Sequence, residues 1–164
     1  MFFSIIIPVF NRPEEIRELL ESLCLQDFTE NFEVVVVEDG STILCQDEVA
    51  LFNEALDISY YYKQNSGPGN SRNFGMTVAK GDYFIIFDSD CIVPPHYLKE
   101  VSEALTNKFA DCYGGSDAAL ESFSDIQKAI NFVMTSFWTT GGVRGGSEKI
   151  TKFQPRSFNM GLSK

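Results

Sequence analysis

Two stretches of the chain carry apolar residues without the alternation of a half-exposed strand. Phe3 to Phe10 reads FSIIIPVF, and Val34 to Val37 is a run of four valines. Runs of this kind predict strands covered on both faces, as in a parallel sheet. After the first, the period changes to that of a helix: Ile16, Leu19, Leu20, Leu23 and Cys24 fall on one face, and Asn11 with Glu14 three positions on predicts a capped start. The second run passes into acidic residues and a turn, then a helix with Val49, Phe52 and Leu56 on one face. DISYYYKQN predicts a third, more polar strand. It ends at the turn NSGPGNSRN, and a short helix through Phe74 and Val78 follows. DYFIIFDSD predicts a fourth strand. PPHYLKEVSEAL predicts a helix whose prolines occupy the first turn, where a missing N–H costs nothing. ADCYGGSDA is a fifth strand candidate and SDIQKAINFVMTSFW a further helix.

Strands alternating with helices predict an α/β fold: an open, mostly parallel sheet flanked by helices, with ligands outside the carboxyl ends of the strands. Those ends read Phe10-Asn11, Glu38-Asp39-Gly40, Lys63 to Gly69 and Asp88-Ser89-Asp90. The polar groups converge on one rim.

Length and composition narrow the partners. With 164 residues, 44% of them hydrophobic, the expected organisation is a single domain over residues 1–164. A net charge of -10 excludes the clustered basic surface that nucleic-acid binding requires. Cys24, Cys45, Cys91 and Cys112 lie far apart without a C-x-x-C pair, which predicts reduced thiols and neither a zinc site nor a disulfide framework. The apolar start lacks a basic flank and a cleavage site, and no run approaches the roughly 20 apolar residues of a membrane-spanning helix. The expectation is a soluble cytoplasmic protein or a soluble piece of a larger one.

Asp88-Ser89-Asp90 follows four apolar residues, Phe84 to Phe87. Two carboxylates there repel one another, and either they cap the next helix or they serve a ligand. Residues i and i+2 of an extended segment share a side, so both carboxylates can face one hard cation such as Mg²⁺ or Mn²⁺. Such a cation takes one or two carboxylates and completes its shell with substrate phosphates and water. Asp39 either holds nearby backbone N–H groups in a turn or reads a nucleobase N–H or a ribose hydroxyl. GPGNSR, Gly67 to Arg72, imitates a dinucleotide fingerprint, but Arg72 replaces the third glycine and the motif follows the third strand, not the first. These glycines then mark a tight turn, and Arg72 is a phosphate or base contact or an ordinary ion-pair partner. His96, the only histidine, is expected at the surface of a helix start. Phe132, Met134, Phe137 and Trp138 are expected in packing. Thr139 to Lys149, with four glycines, reads as a mobile loop.

SIIIPVFNRPEEIRELLESL, VVVVEDGS, NSGPGNSRNFGMTVAKGDYFIIFDSDC and the closing RSFNMGLSK, in this order and at this spacing, resemble family 2 glycosyltransferases of the GT-A fold over nearly the whole chain. The resemblance implies a Rossmann-like nucleotide-sugar-binding domain with a D-x-D motif. It also implies inverting transfer of a sugar from a nucleoside diphosphate donor, often a UDP-sugar, to a saccharide or lipid-linked acceptor. By the same resemblance Pro8 and Phe10 line the base pocket, Asp39 bonds the uracil ring, and Arg72 contacts the base or diphosphate. Asp88 approaches the ribose, and Asp90 binds the Mn²⁺ or Mg²⁺ that bridges the diphosphate. The catalytic base of the family lies C-terminal to the segment that FNMGLSK resembles, so it is expected beyond Lys164, with Asp117 a weaker internal candidate. That makes the chain a donor-binding domain truncated before the acceptor-side base, with membrane contact only through missing parts or the acceptor. Two other functions compete. A nucleotidyltransferase would show a Gly-rich, basic phosphate loop after strand one, which PVFNRPEE lacks; a non-catalytic nucleotide-sugar-binding module would differ only in turnover.

Overall fold

The computed structural model describes residues 1–115, 125–126, 129, 132–133 and 159–164. The elements are β1 (Phe3–Val9), α1 (Pro13–Cys24), β2 (Phe32–Asp39), α2 (Gln46–Ala50), β3 (Asp57–Lys63), α3 (Pro68–Val78), β4 (Tyr83–Ile86), α4 (Tyr97–Asn107), β5 (Cys112–Gly114) and β6 (Met160–Ser163). They form one six-stranded sheet in the order β3-β2-β1-β4-β6-β5. The first four strands are mutually parallel, and β6 runs antiparallel to both β4 and β5.

The unbroken apolar runs are central strands. Every residue of β1 and β4 is buried, as is β2 after its first residue, whereas β3 is only half-buried at the sheet edge. The two-residue period of a strand sends alternate side chains into two separate cores. Phe3, Ile5, Ile7 and Val9 pack with Val34 and Val36 against Ile16, Leu19, Leu20 and Leu23 of α1 and Leu98 and Leu105 of α4. Ile6, Val35, Val37, Phe84 and Ile86 form the other core with Phe74 and Val78 of α3. Each such side chain contributes about 1.5–3 kcal/mol when fully buried. A buried carboxylate ties the amino ends together: Glu33 accepts from the Ser4 hydroxyl and the Lys80 N–H, while Ser4 Oγ accepts from Gly81 N.

Several local boundaries differ from the sequence reading. Asn11 does not cap α1; Arg12 holds the cap position without a side-chain cap bond, and Pro13 opens the helix. Asn11 is left-handed, with φ 54°, a conformation its short polar side chain tolerates. Its Oδ1 accepts from the Thr42 and Ile43 N–H groups at 2.8 and 3.0 Å, which fastens the end of β1 to the loop after β2. Cys24 is exposed, and the buried fifth position of α1 is Ser22, whose hydroxyl donates to Leu19 O and accepts from Val93 N. The NSGPGNSRN turn is shorter than its composition suggests, because α3 begins at Pro68 and already contains Asn70, Ser71 and Arg72. Pro94 and Pro95 precede α4 instead of filling its first turn, and His96 stands at its cap. The α2 helix ends at Ala50, so Phe52 and Leu56 follow it in turns. Met160–Ser163, unassigned from sequence, is a strand. Of the expected C-terminal features, Phe132 is exposed; Met134, Phe137, Trp138, Asp117 and the segment 139–149 lie outside the described residues, as does most of the helix predicted there. Among the described residues no helix is long and apolar enough to cross a membrane.

Candidate functional site

The strand order places the site. From β1 the chain moves outward to β2 and β3, then returns to the other side of β1 for β4, so the order reverses between β1 and β4. A crevice opens at such a switch point, outside the carboxyl ends. Pro8 widens it. Ile6 O accepts from Phe87 N at 3.1 Å, so by the period of the strand Pro8 directs its backbone toward the same neighbour. Pairing of β1 with β4 ends at Ile6, whereas pairing with β2 continues to Val9. A residue with no N–H fits where no partner strand remains.

The resulting open cavity measures about 430 Å³. Its wall contains Pro8, Phe10, Asp39, Arg72, Asp88 and Asp90, the six residues assigned from sequence to nucleotide and metal, and also Arg12, Asn65, Gly67 and Ser89. Phe10 is a large apolar side chain left 49% exposed at the mouth. His96 lies elsewhere, exposed, with Nδ1 2.6 Å from Asp27 Oδ2.

Asp39 and its neighbour Glu38 point to opposite sides of β2 and do different work. Glu38 is buried beneath the rim, where it accepts from the Ser41 hydroxyl, the Cys45 N–H at 2.8 Å and the Tyr60 hydroxyl at 3.1 Å. Burial first, and then the adjacent Glu38, push the Cys45 thiol and the Tyr60 phenol upward. Asp39 instead holds the loop between β3 and α3. Its Oδ1 accepts from Ser66 N at 3.0 Å and from Lys63 Nζ, its Oδ2 from Gly67 N at 2.9 Å. Burial works to raise this carboxyl, but hydrogen bonds from Lys63, Ser66 N–H and Ser71, with the Lys63 charge, outweigh it and hold Asp39 below the ordinary carboxylate range. Gly40 makes the close approach possible: at φ 71° it sits where a Cβ would lie 2.5 Å from Asn65 N. Asp39 therefore does bond backbone N–H groups, but not those of its own Asp-Gly-Ser turn: its partners Ser66 and Gly67 lie 27 and 28 positions away.

The two carboxylates of the D-x-D segment are each met by an arginine. Arg72 NH2 donates to Asp88 Oδ1 and Arg12 NH1 to Asp90 Oδ2, both at 2.5 Å. Arg72 comes from the first turns of α3 and its side chain is 14% exposed, against 45% for Arg12. Its Nε is buried without a hydrogen-bond partner. With Asp39 and Lys63, the rim thus carries three carboxylate–cation pairs. Arg12 was not singled out from sequence; its position directly after β1, on the rim where ligands bind, was the signal that pointed to it.

No cluster of three or more His, Cys, Asp or Glu side chains suited to a metal occurs among the described residues. β4 ends at Ile86 and Ser89-Asp90 lie in a turn, so the shared side expected of an extended Asp88-Ser89-Asp90 is not the arrangement found; Asp88 and Asp90 are two carboxylates lining one open cavity. That fits a hard divalent cation that takes one or two carboxylates and draws its other ligands from phosphate and water.

The chain belongs to glycosyl transferase family 2, whose model matches residues 4–160. It is 35% identical over 127 residues to an uncharacterized glycosyltransferase of Rickettsia felis, covering 76% of this chain and 21% of that protein. It is 35% identical over 114 residues to the poly(ribitol-phosphate) beta-N-acetylglucosaminyltransferase TarS of Staphylococcus aureus, covering 68% and 20%. The chain thus spans about a fifth of the length of these relatives. The crystal structure of S. aureus TarS 1-349 in complex with UDP-GlcNAc superposes with a TM-score of 0.69 at 32% identity, over 76% of this chain and 36% of that one. The mannosyltransferase PcManGT of Pyrobaculum calidifontis, solved with GDP-Man and Mn2+, has a TM-score of 0.63 at 23% identity over 70% and 35%, a likeness of fold alone. The architecture is the GT-A fold expected from the sequence.

Proposed function

We propose that residues 1–164 form the donor-binding part of an inverting glycosyltransferase that takes a UDP-sugar with Mn²⁺ or Mg²⁺ and serves a saccharide or lipid-linked acceptor. The observation that carries this reading is the crevice at the switch point, which gathers an exposed aromatic ring, the Asp39 carboxylate, two arginines and the two carboxylates of the D-x-D segment. The UDP-GlcNAc complex of TarS, at 32% identity, supports a uridine nucleotide over other donors.

Each residue has a task set by its surroundings. Phe10 offers an apolar face to the base and Pro8 the floor beneath it. Asp39 accepts from the base N–H. Arg72, fixed by Asp88 and with a buried Nε still unpartnered, presents donors toward the base or diphosphate, and Asp88 turns its second oxygen to the ribose. Asp90 would hold the divalent cation. When bound, that cation supplies positive charge against the diphosphate as it leaves, an electrostatic stabilisation of the transition state. Inversion also requires a base on the acceptor hydroxyl, opposite the leaving group. We place it outside residues 1–164, with Asp117 the internal alternative, and a base of this kind contributes about 10²–10⁴-fold.

Calorimetric titration of UDP, GDP and CDP in Mn²⁺ and in chelator tests the reading. UDP is expected to bind most tightly. UDP and Mn²⁺ are expected to strengthen one another by the same factor, as linkage requires, because the rim pairs are balanced and either ligand alone leaves charge uncompensated. Equal UDP affinity in Mn²⁺ and in chelator would remove the cation from the account.

A further inference from the structure

We propose that Arg12 is the internal counter-ion of Asp90 and gates the cation site: its guanidinium holds the carboxylate until a divalent cation displaces it, and the freed arginine then turns to the diphosphate. The inference rests on the assignment of Asp90 to the cation made above.

Three observations carry it. Arg12 NH1 lies 2.5 Å from Asp90 Oδ2, so it occupies one of the two oxygens that Asp90 can offer a cation and sets a positive charge beside the other. Both side chains are about half exposed, at 45% and 50%. An ion pair this exposed is weak and salt-screened, and it exchanges partners readily. The neighbouring pair is built differently, because the Arg72 side chain is only 14% exposed, its Nε is enclosed, and its carboxylate is Asp88. Arg72 is a fixed wall of the cavity; Arg12 is the arginine free to leave. Arg12 also needs no large movement, since it lines the same cavity, and a guanidinium carries five donors in a planar fork suited to phosphate oxygens.

The alternative is an ordinary surface ion pair, and the two differ in sign. A competitor for Asp90 weakens the cation when it is present. Removing it strengthens binding of the cation alone and weakens binding of nucleotide in the presence of the cation, because the arginine is then missing from the diphosphate. A merely structural arginine moves neither, or weakens both together by loosening the rim.

The probe is Mn²⁺ itself, followed without nucleotide by the loss of its free-ion paramagnetic resonance signal, and then UDP titrated at saturating Mn²⁺. Arg12→Gln is expected to tighten Mn²⁺ about three- to tenfold, the range for loss of an exposed competing pair and its repulsion. It is expected to weaken UDP by a similar factor. Arg17→Gln, in the helix that follows Arg12 and paired with Glu21 and Glu48, is expected to change neither. Asp90→Asn is expected to abolish Mn²⁺ uptake in either background. Unchanged or weaker Mn²⁺ binding by Arg12→Gln, with Asp90→Asn still abolishing it, would overturn the gate alone. Mn²⁺ binding indifferent to Asp90→Asn would overturn the cation assignment and the gate with it.

Discussion

Asp90→Ala is expected to weaken UDP about 10- to 100-fold in saturating Mn²⁺ and to leave UDP affinity in chelator the same or slightly higher. The first effect is the loss of a charged ligand interaction, about 1.5–3 kcal/mol. The second follows from the Arg12–Asp90 pair: without the carboxylate, one negative charge leaves the rim and one guanidinium becomes available to the diphosphate. A simple loss of structure lowers affinity in both conditions. Calorimetry with the two proteins in the two conditions separates these outcomes, and equal losses in Mn²⁺ and in chelator would contradict the role given to Asp90.

Asp39→Ala is expected to cost stability and uridine affinity together. The substitution strands the Ser66 and Gly67 N–H groups and leaves Lys63, whose side chain is 19% exposed, without its carboxylate. Breaking a largely buried pair of this kind costs about 3 kcal/mol, a fall in melting temperature of roughly 6–12 °C for a domain of this size. Uridine alone, without diphosphate or cation, is expected to bind more weakly to the molecules that remain folded. A lower melting temperature with unchanged uridine affinity would reduce Asp39 to a loop anchor.

The same residue sets an acid limit. Its carboxyl lies below the ordinary range in the folded protein, so the native state binds fewer protons than the unfolded chain. The stabilisation is complete above the unfolded value of about 4 and is lost as pH falls through the depressed folded value. The difference in melting temperature between the unmutated protein and Asp39→Ala is therefore expected to be constant near neutral pH and to shrink only below about pH 4.

What was legible in the sequence was whatever local chemistry dictates. The run at Val34 to Val37 has one stable location, a strand covered on both sides, and β2 supplies it. The residues at the carboxyl ends of the strands and in the turns that follow them were bound to lie on one rim once the strands were parallel, which is why Pro8, Phe10, Asp39, Arg72, Asp88 and Asp90 meet in one cavity. The pairing within that rim was not legible. Arg12 and Asp90 are 78 positions apart, and nothing at either position names the other. Asn11 had the composition of a helix cap, and the loop after β2 competed successfully for its side chain. The strand Met160–Ser163 is short, and its partners on β4 and β5 are distant in sequence; Gly161 there leaves room only for the Tyr113 ring, a contact that composition does not announce.

The central claim is that a uridine diphosphate occupies the crevice between the ends of β1, β2 and β4. Amide resonances of the chain, followed as UDP is added in the presence of a diamagnetic cation such as Mg²⁺, test it most directly. The account predicts saturable shifts concentrated at Phe10–Arg12, Asp39–Gly40, Asn65–Arg72 and Asp88–Asp90. The sheet's opposite end has its own open cavity, lined by Phe2, Asn31, Phe32, Leu56 and Asp57, and is predicted to stay silent. Shifts concentrated at that second cavity, or no saturable shift at all, would contradict it.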